Sequence, residues 1–456
     1  MSSVLPAVDV KALEEIYSGL DKENEAFLRA LFFLEKSTRS LFITGKAGTG
    51  KSTLIKLFTK FTQKKVLILA PSGISAINAG GQTIHSFFGF PLRPILPGDK
   101  EIRKFRHDSQ QKDLVKNADV VIIDEISMVR ADLLDAIHYS LSKNTGVKNA
   151  AFGGKQVVLI GDPFQLPPVV RDDDQQVISY LYSSPYFFDA SAFSRRFIEM
   201  IELQKVYRQH DDRFLELLNK IRLNACDQSD LDLLNSRFYP RYEPGENDYV
   251  ITLCTTNSVA DTINKRRLNQ LKTPSKTYSG EVNGDFPSAT LPTETDLELK
   301  EGAQIIFIRN DLSGRWVNGS IGKVVELEEH SIKVQLQNGD VHELEPHEWE
   351  NKKYKWDLEK GKIDQEILGT FTQYPVKLAW GITIHKSQGL TFDRAIIDLG
   401  RGAFAHGQLY VALSRCRSLR GLALRQKVSM SDIIVDSKVS KAHASGFLKD
   451  VGMKLF

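Results

Sequence analysis

The densest run of residues able to do chemistry lies between Ser40 and Leu54. Gly45, Gly50, Lys51 and Ser52 fit the pattern G-x-x-x-x-G-K-[ST]. Glycines at this spacing let backbone N–H groups turn inward around a chain of phosphates. The lysine then reaches the β- and γ-phosphates, and the serine hydroxyl is placed to ligate Mg²⁺. Such a loop needs a buried strand to deliver it and a helix N-terminus to face the anion. Leu41, Phe42 and Ile43 supply the strand, and Leu54, Ile55, Leu57, Phe58 and Phe61 recur at helical spacing behind it. A nucleoside triphosphate is the ligand this implies, with Gly45, Ala47, Gly48, Thr49, Gly50, Lys51, Ser52 and Thr53 around its phosphates.

Two further sets of polar residues follow apolar runs. Asp124-Glu125 closes the run Val120–Ile123, at the end of a strand where open α/β sheets carry their active groups. Asp124 is assigned to the metal and Glu125 to the attacking water. Read alone, the pair could equally be the acidic first turn of a helix. Gln165, in Gly161-Asp-Pro-Phe-Gln165, is suited to sense the γ-phosphate or the water without carrying charge. In isolation it is an ordinary turn residue of a proline-rich loop. Arg415 and His385, taken singly, read as a solvated cation and a surface histidine.

The chain has 456 residues and a net charge of +3, which permits a nucleic-acid partner without pointing to one. It contains no apolar run long enough to span a bilayer and no secretory or transit layout at its start. Cys226, Cys254 and Cys416 form no C-x-x-C pair, so a reducing cytoplasmic setting is expected, nucleoid-associated in a bacterium, with a nucleus or mitochondrion left open. Short buried strands alternating with helices predict a mostly parallel sheet covered on both faces. A second such unit, without a phosphate loop, is expected from Phe197–Leu203, Tyr249–Thr255, Arg394–Leu399 and Gly421–Arg425. Glycine-bounded alternating segments between its halves read as an inserted small β-barrel.

Taken in order, these stretches resemble the Pif1-like family of superfamily 1B helicases. The matching residues are Gly45–Ser52 (motif I), Ala70–Phe88 (motif Ia), Asp124–Met128 (motif II) and Phe152-Gly-Gly-Lys-Gln156 leading into Gly161–Val169 (motif III). Val206-Tyr-Arg-Gln209, Ala379–Phe392 and Leu409–Arg417 resemble motifs IV, V and VI. The resemblance implies two RecA-like domains, 1–195 and 196–279 with 369–430. It also implies a wedge insertion at about 86–117, an SH3-like insertion at 280–368 and a C-terminal tail at 431–456. The implied activity is ATP-dependent 5′→3′ unwinding of DNA in replication, recombination, repair or telomere maintenance. Its partners would be single-stranded DNA and duplex or quadruplex junctions, with a monomeric core and no membrane.

Motif matching assigns Pro71, Ser72, Gly73, Thr83, His85, Thr383, His385 and Lys386 to DNA, and Gly389 to the nucleotide. Arg208 and Arg415, both expected in the second domain, become arginine fingers that reach the γ-phosphate when the cleft closes. Where the family often carries a glutamine that reads adenine, this chain offers Asn24. The helix within Val129–Ala151 lacks the basic residues expected of the family's signature insert. No nuclease or relaxase domain is expected ahead of the phosphate loop. A RecD-like helicase, a strand clamp that does not translocate and a phosphotransferase remain as alternatives.

Overall fold

Four apolar runs buried along their length, Leu41–Ile43, Leu67–Ala70, Val120–Ile123 and Val157–Ile160, need partners on both edges and cover on both faces. The computed structural model describes residues 13, 16–17, 21, 23–194, 198–209, 211–245, 248–311, 313–357 and 362–448. It gathers these runs into a parallel sheet of β1 (Ser40–Gly45), β2 (Val66–Ala70), β3 (Gln82–Thr83), β4 (Val120–Ile123), β5 (Gln156–Ile160) and β6 (Ile198–Leu203). The strand order is β3-β2-β4-β5-β1-β6. Burying each large aliphatic side chain of these strands contributes roughly 1.5–3 kcal/mol, so the sheet is a rigid platform for the loops at its edge. Helices Glu25–Lys36 and Lys51–Phe61 cover one face, where Leu28, Leu31, Leu54 and Phe58 pack against Leu41, Ile43 and Val158.

Ile198–Leu203 corrects the expected division of the chain. It pairs in parallel with β1 along its whole length, from Ser40 opposite Ile198 to Gly45 opposite Leu203. The boundary at 195/196 therefore falls inside the first unit, which continues to about Gln209. An apolar run shows that a strand exists but not which edge receives it.

The second parallel sheet contains β7 (Ile251–Cys254), and its other strands follow a long insertion. The insertion holds β8 (Ser275–Ser279), β9 (Glu281–Gly284), β10 (Asp296–Lys300), β11 (Gln304–Phe307), β12 (Ile321–Leu327), β13 (Ile332–Leu336), β14 (Val341–Leu344), β15 (His347–Asp357), β16 (Lys362–Gln373) and β17 (Val376–Leu378). Then come β18 (Gly381–Thr383), β19 (Ala395–Asp398) and β20 (Leu422–Leu424), in the order β18-β7-β19-β20. Within the insertion β14-β13-β12-β11-β17 is an antiparallel sheet around Phe307, Trp316, Val324 and Val334. Its strands start before residue 280 and end after 368, so those expected bounds would cut β16 and strand β17.

The long β15–β16 hairpin reaches back to the first unit. The Tyr354 hydroxyl accepts from Ile68 N at 3.1 Å, and its ring meets Phe87 edge-on at 6.4 Å. Segment 86–117 does leave the sheet, but Phe88, Phe90, Ile95 and Ile102 anchor it in the core while Leu92 stays exposed. Asp132 takes Ile95 N at 2.9 Å and Arg130 Nε at 2.8 Å, fixing the base of this excursion. The expected tail is a docked element as far as Leu448. Helix Ser437–Ala444 follows Asp436, which accepts from the Tyr186 hydroxyl at 2.9 Å, and Phe447 packs on Phe193. The part of the tail beyond Leu448 lies outside the described residues. No described helix is long and apolar enough to cross a membrane.

Candidate active site

In the order β4-β5-β1-β6, four neighbouring strands end at one edge of the first sheet. Asp124 and Glu125 follow β4, the 161–165 loop follows β5, the phosphate loop follows β1, and Val206–Gln209 follows β6. A cavity of about 670 Å³ opens there, with Lys51, Glu125, Gln165, Arg208, Gly389 and Arg415 in its wall. Ala47, Gly48, Thr49, Gly50, Ser52 and Thr53 line it too, whereas Gly45 sits beneath the loop as the last residue of β1.

Backbone geometry explains the glycines. Gly48 has φ +81°, and a Cβ there would lie 2.6 Å from Cβ of Arg208. Tyr207 N donates to Gly48 O at 2.9 Å, so the segment after β6 runs along the phosphate loop. Arg208 accordingly stands beside that loop at the end of the first sheet, which corrects its expected place in the second domain. Its guanidinium reaches across to the other unit, donating to Ser414 O at 3.2 Å and Gly389 O at 3.4 Å.

Arg415 comes from the second unit. It is 2% exposed and donates to Val411 O at 3.0 Å and Ser414 Oγ at 2.8 Å. Among the described residues neither Arg208 nor Arg415 has an ion-pair partner. Burial lowers Arg415 to about 10, and burial with the nearby Arg415 cation lowers Arg208 to about 9. Lys51 Nζ donates to Gly45 O at 2.6 Å and Lys46 O at 3.0 Å, and burial depresses its pKa as well. So much under-compensated positive charge around one cavity suits a polyanion.

Near Lys51, burial and then the Glu125 charge raise Asp124 to about 7, and burial raises Glu125, while the Lys51 charge opposes both shifts. Asp124 accepts from Glu125 N at 2.9 Å, and Glu125 holds a left-handed backbone at φ 50°, an uncommon and costly conformation for this residue type. Two adjacent acidic groups raised by burial, one of them also by the charge of the other, are a hard-oxygen site that a divalent cation would relieve. With the exposed Ser52 hydroxyl they fit Mg²⁺, which is commonly held by one or two carboxylates, water and substrate phosphates.

The end of the cavity at Phe27 and Tyr207 differs from expectation. Asn24 is 4% exposed and both ends of its amide are engaged. Its Oδ1 accepts from Phe27 N at 3.1 Å as a helix cap, and its Nδ2 donates to the Tyr207 hydroxyl at 2.9 Å. Asn24 therefore positions Tyr207, while Phe27, Leu57 and Tyr207 themselves line the cavity.

The residues assigned to DNA fall into two groups. Pro71, Ser72 and Gly73 follow β2, Thr83 ends β3 and His85 follows it. Ser72 and Thr83 spend their hydroxyls as helix caps, accepting from Ser75 N and Ser86 N. Burial lowers the His85 pKa, and Thr290 of the insertion packs on Gly73. Thr383 ends β18 on the other sheet and His385 and Lys386 follow it; Thr383 Oγ1 accepts from Lys386 N at 3.3 Å and only Lys386 of the three is well exposed.

Sequence reasoning missed Tyr207, Asp162, Arg222 and Tyr410. Asp162 and Arg222 form an ion pair at 3.1 Å with both side chains buried, and the guanidinium lies over Phe164 at 4.3 Å. A signal existed for Arg222. Phe214, Leu217, Leu218 and Ile221 define the buried face of helix Asp212–Arg222, and position 222 continues that face four residues after 218.

A family model for PIF1-like helicase matches residues 19–231. The chain is 34% identical to the ATP-dependent DNA helicase Pif1 of Campylobacter jejuni, over 82% of this chain and 86% of that protein. It is 33% identical to human ATP-dependent DNA helicase PIF1, over 88% of this chain and 60% of that one. Bacteroides sp Pif1 in complex with ADP-AlF4 superposes with TM-score 0.86 at 36% identity, covering 93% of this chain and 96% of that one. Bacteroides Pif1 bound to ssDNA, also 36% identical, superposes at 0.66 over 92% and 96%.

Proposed function

The chain belongs to the PIF1-like helicase family, and we propose on that premise that it is an ATP-dependent DNA helicase that moves 5′→3′ on single-stranded DNA. In this reading the two parallel sheets are tandem RecA-like domains, about 23–209 and 211–270 with 381–428, and 275–378 is an SH3-like insertion. The observation that carries the proposal is one cavity whose cations come from both sheets, Lys51 and Arg208 from the first and Arg415 from the second. Relatives solved with ADP-AlF4 and with ssDNA support ATP and DNA as its ligands.

The phosphate loop and Lys51 bind the nucleotide, with Tyr207 and Phe27 beside the base. Glu125 and Gln165 orient water toward the γ-phosphate, while Arg208 and Arg415 take up charge on the transferred group. Ser52 and Asp124 would hold Mg²⁺, which when bound neutralises β- and γ-phosphate oxygens. Single-stranded DNA is read as crossing both domains, over Pro71–Gly73, Thr83 and His85 and then Thr383, His385 and Lys386. Segment 86–117 would split duplex, and Leu92 gives it an exposed apolar edge. Duplex and quadruplex junctions as substrates, and a monomeric working unit, belong to the same proposal. A phosphotransferase would need a hydroxyl-substrate site where the second sheet delivers Arg415.

Strand separation with ATP and magnesium on duplexes carrying a 5′ or a 3′ single-stranded tail tests the reading. Unwinding from the 5′ tail alone is expected. DNA-stimulated hydrolysis without separation of either duplex would instead make the chain a strand clamp.

A further inference from the structure

Tyr410 is a buried junction between the sheet that carries the phosphate loop and the unit that carries Arg415. Tyr410 is 4% exposed, and its hydroxyl accepts from Ala47 N at 2.9 Å while donating to Asp162 Oδ2 at 3.3 Å. The other Asp162 oxygen receives Arg222 Nη2 at 3.1 Å. One hydroxyl thus touches the phosphate loop and the 161–165 loop together, as its donor and acceptor capacity allows. Burial and the Asp162 carboxylate hold this phenol well above its ordinary pKa, so it stays a donor.

The residues just before Tyr410 grip the same loop. His406 Nε2 donates to Pro163 O at 2.9 Å while its Nδ1 accepts from Asp436 N at 2.9 Å. Gly407, at φ +69°, presses so closely on the loop that a Cβ would lie 2.4 Å from Phe164 O and 2.7 Å from Gln165 O. On the other side, Ser414 N donates to Tyr410 O at 2.9 Å and Arg415 Nε to Val411 O at 3.0 Å. Tyr410 and Arg415 therefore belong to one hydrogen-bonded turn, and displacing it moves both.

We propose that Tyr410 is a positioning residue that locks the phosphate loop and the 161–165 loop to the turn bearing Arg415, so that Arg415 is aligned only when both loops are held. The inference rests on the reading of Arg415 as a group that completes the ATP site. It assigns Tyr410 no contact with nucleotide. Its hydroxyl makes the alignment cooperative, which raises turnover and leaves ground-state binding of ATP nearly unchanged.

The test is a double-mutant cycle on the full chain with oligothymidylate, measuring kcat, KM for ATP and the unfolding midpoint of Tyr410→Phe, Arg415→Ala and the pair. Phenylalanine keeps the ring in its site and removes only the hydroxyl. Losing one neutral hydrogen bond and one to a carboxylate predicts a fall in kcat of about tenfold or more, with KM changed by less than about twofold. In the Arg415→Ala background the same change should cost less than about twofold, because there is no longer a guanidinium to align. Near-normal kcat in Tyr410→Phe overturns the proposal, as do losses that multiply independently. So does a lowered unfolding midpoint with unchanged turnover per folded molecule. Normal turnover in Arg415→Ala would overturn the reading of the ATP site instead, which keeps the two failures distinct.

Discussion

Arg208, half-buried, and Arg415, buried, are cations whose hydrogen bonds go to main-chain carbonyls and a serine hydroxyl rather than to carboxylates. Holding a guanidinium in this state is costly unless an anion arrives, and arginine fingers are worth about 10³–10⁵ in turnover. Arg415→Ala is expected to lower kcat by roughly 10³ with a much smaller loss of ATP affinity. Lysine should rescue poorly because it lacks the fork. Arg208 adjoins the phosphate loop itself, so Arg208→Ala should weaken nucleotide binding as well as turnover, a split that titration with a fluorescent ATP analogue would reveal. Equal effects of the two substitutions on binding would contradict this geometry. Asp124 gives a stability prediction of opposite sign to function. Its folded pKa is about 7 against an ordinary 3.8, so the unfolded chain releases this proton first as pH rises. The raised carboxyl therefore costs stability increasingly from about pH 4 to about pH 7. Without magnesium or nucleotide, Asp124→Asn should unfold at a higher temperature than the parent at pH 7.5. The gap should shrink as pH falls toward 4, while hydrolysis is lost throughout. A variant less stable than the parent at pH 7.5 would refute the assignment of that burial cost.

The hairpin of β15 and β16 belongs to the insertion yet rests on the first unit, through Tyr354 on Ile68 and Phe87, while Thr290 covers Gly73. Gly73 and its neighbours are residues assigned to DNA, so this contact and a bound strand would compete for the same surface. Tyr354→Ala removes the anchor, and single-stranded DNA is expected to bind several-fold more tightly to the variant, with DNA-independent hydrolysis little changed. Unaltered affinity in fluorescence anisotropy would show that the hairpin does not cover the DNA surface. How far these elements were legible follows from what made each signal local. β1, β2, β4 and β5 were readable because both faces are buried and the chain spells continuous apolar runs. The phosphate loop was readable because one short segment holds the whole pattern. Ile198–Leu203 was readable as a strand but not as the neighbour of β1, since edge choice depends on residues about 150 positions earlier. β3 and β18 are too short for periodicity to register. Asn24 was singled out by position, yet its task of capping a helix and holding Tyr207 depends on a residue far along the chain. Tyr410 left no sequence trace of its role, because both its hydrogen-bond partners come from other elements.

At the scale of the whole molecule the cavity proposed for the nucleotide lies where two sheets meet, and the residues assigned to DNA lie at strand ends of the same two sheets. Each ligand would then contact both units and favour their approach. Two ligands that favour one arrangement must assist each other, and the coupling is reciprocal by thermodynamic necessity. If single-stranded DNA tightens an ATP analogue by some factor, the analogue must tighten DNA by that same factor. Typical coupling of this kind is about 5–150-fold. Oligothymidylate should therefore bind more tightly with ADP–aluminium fluoride than with nothing, and nucleotide titrations with and without DNA should return a matching ratio. Both affinities should weaken as salt rises, more steeply for DNA, because cations of this chain displace counterions from its phosphates. Arg415→Ala should leave each ligand able to bind alone while bringing the factor toward one, since the group that senses closure is gone. A factor of one in the parent chain would mean that the two ligands do not share a closed state. Stepping along DNA could not then be driven by closure of this cleft, whatever the rate of hydrolysis.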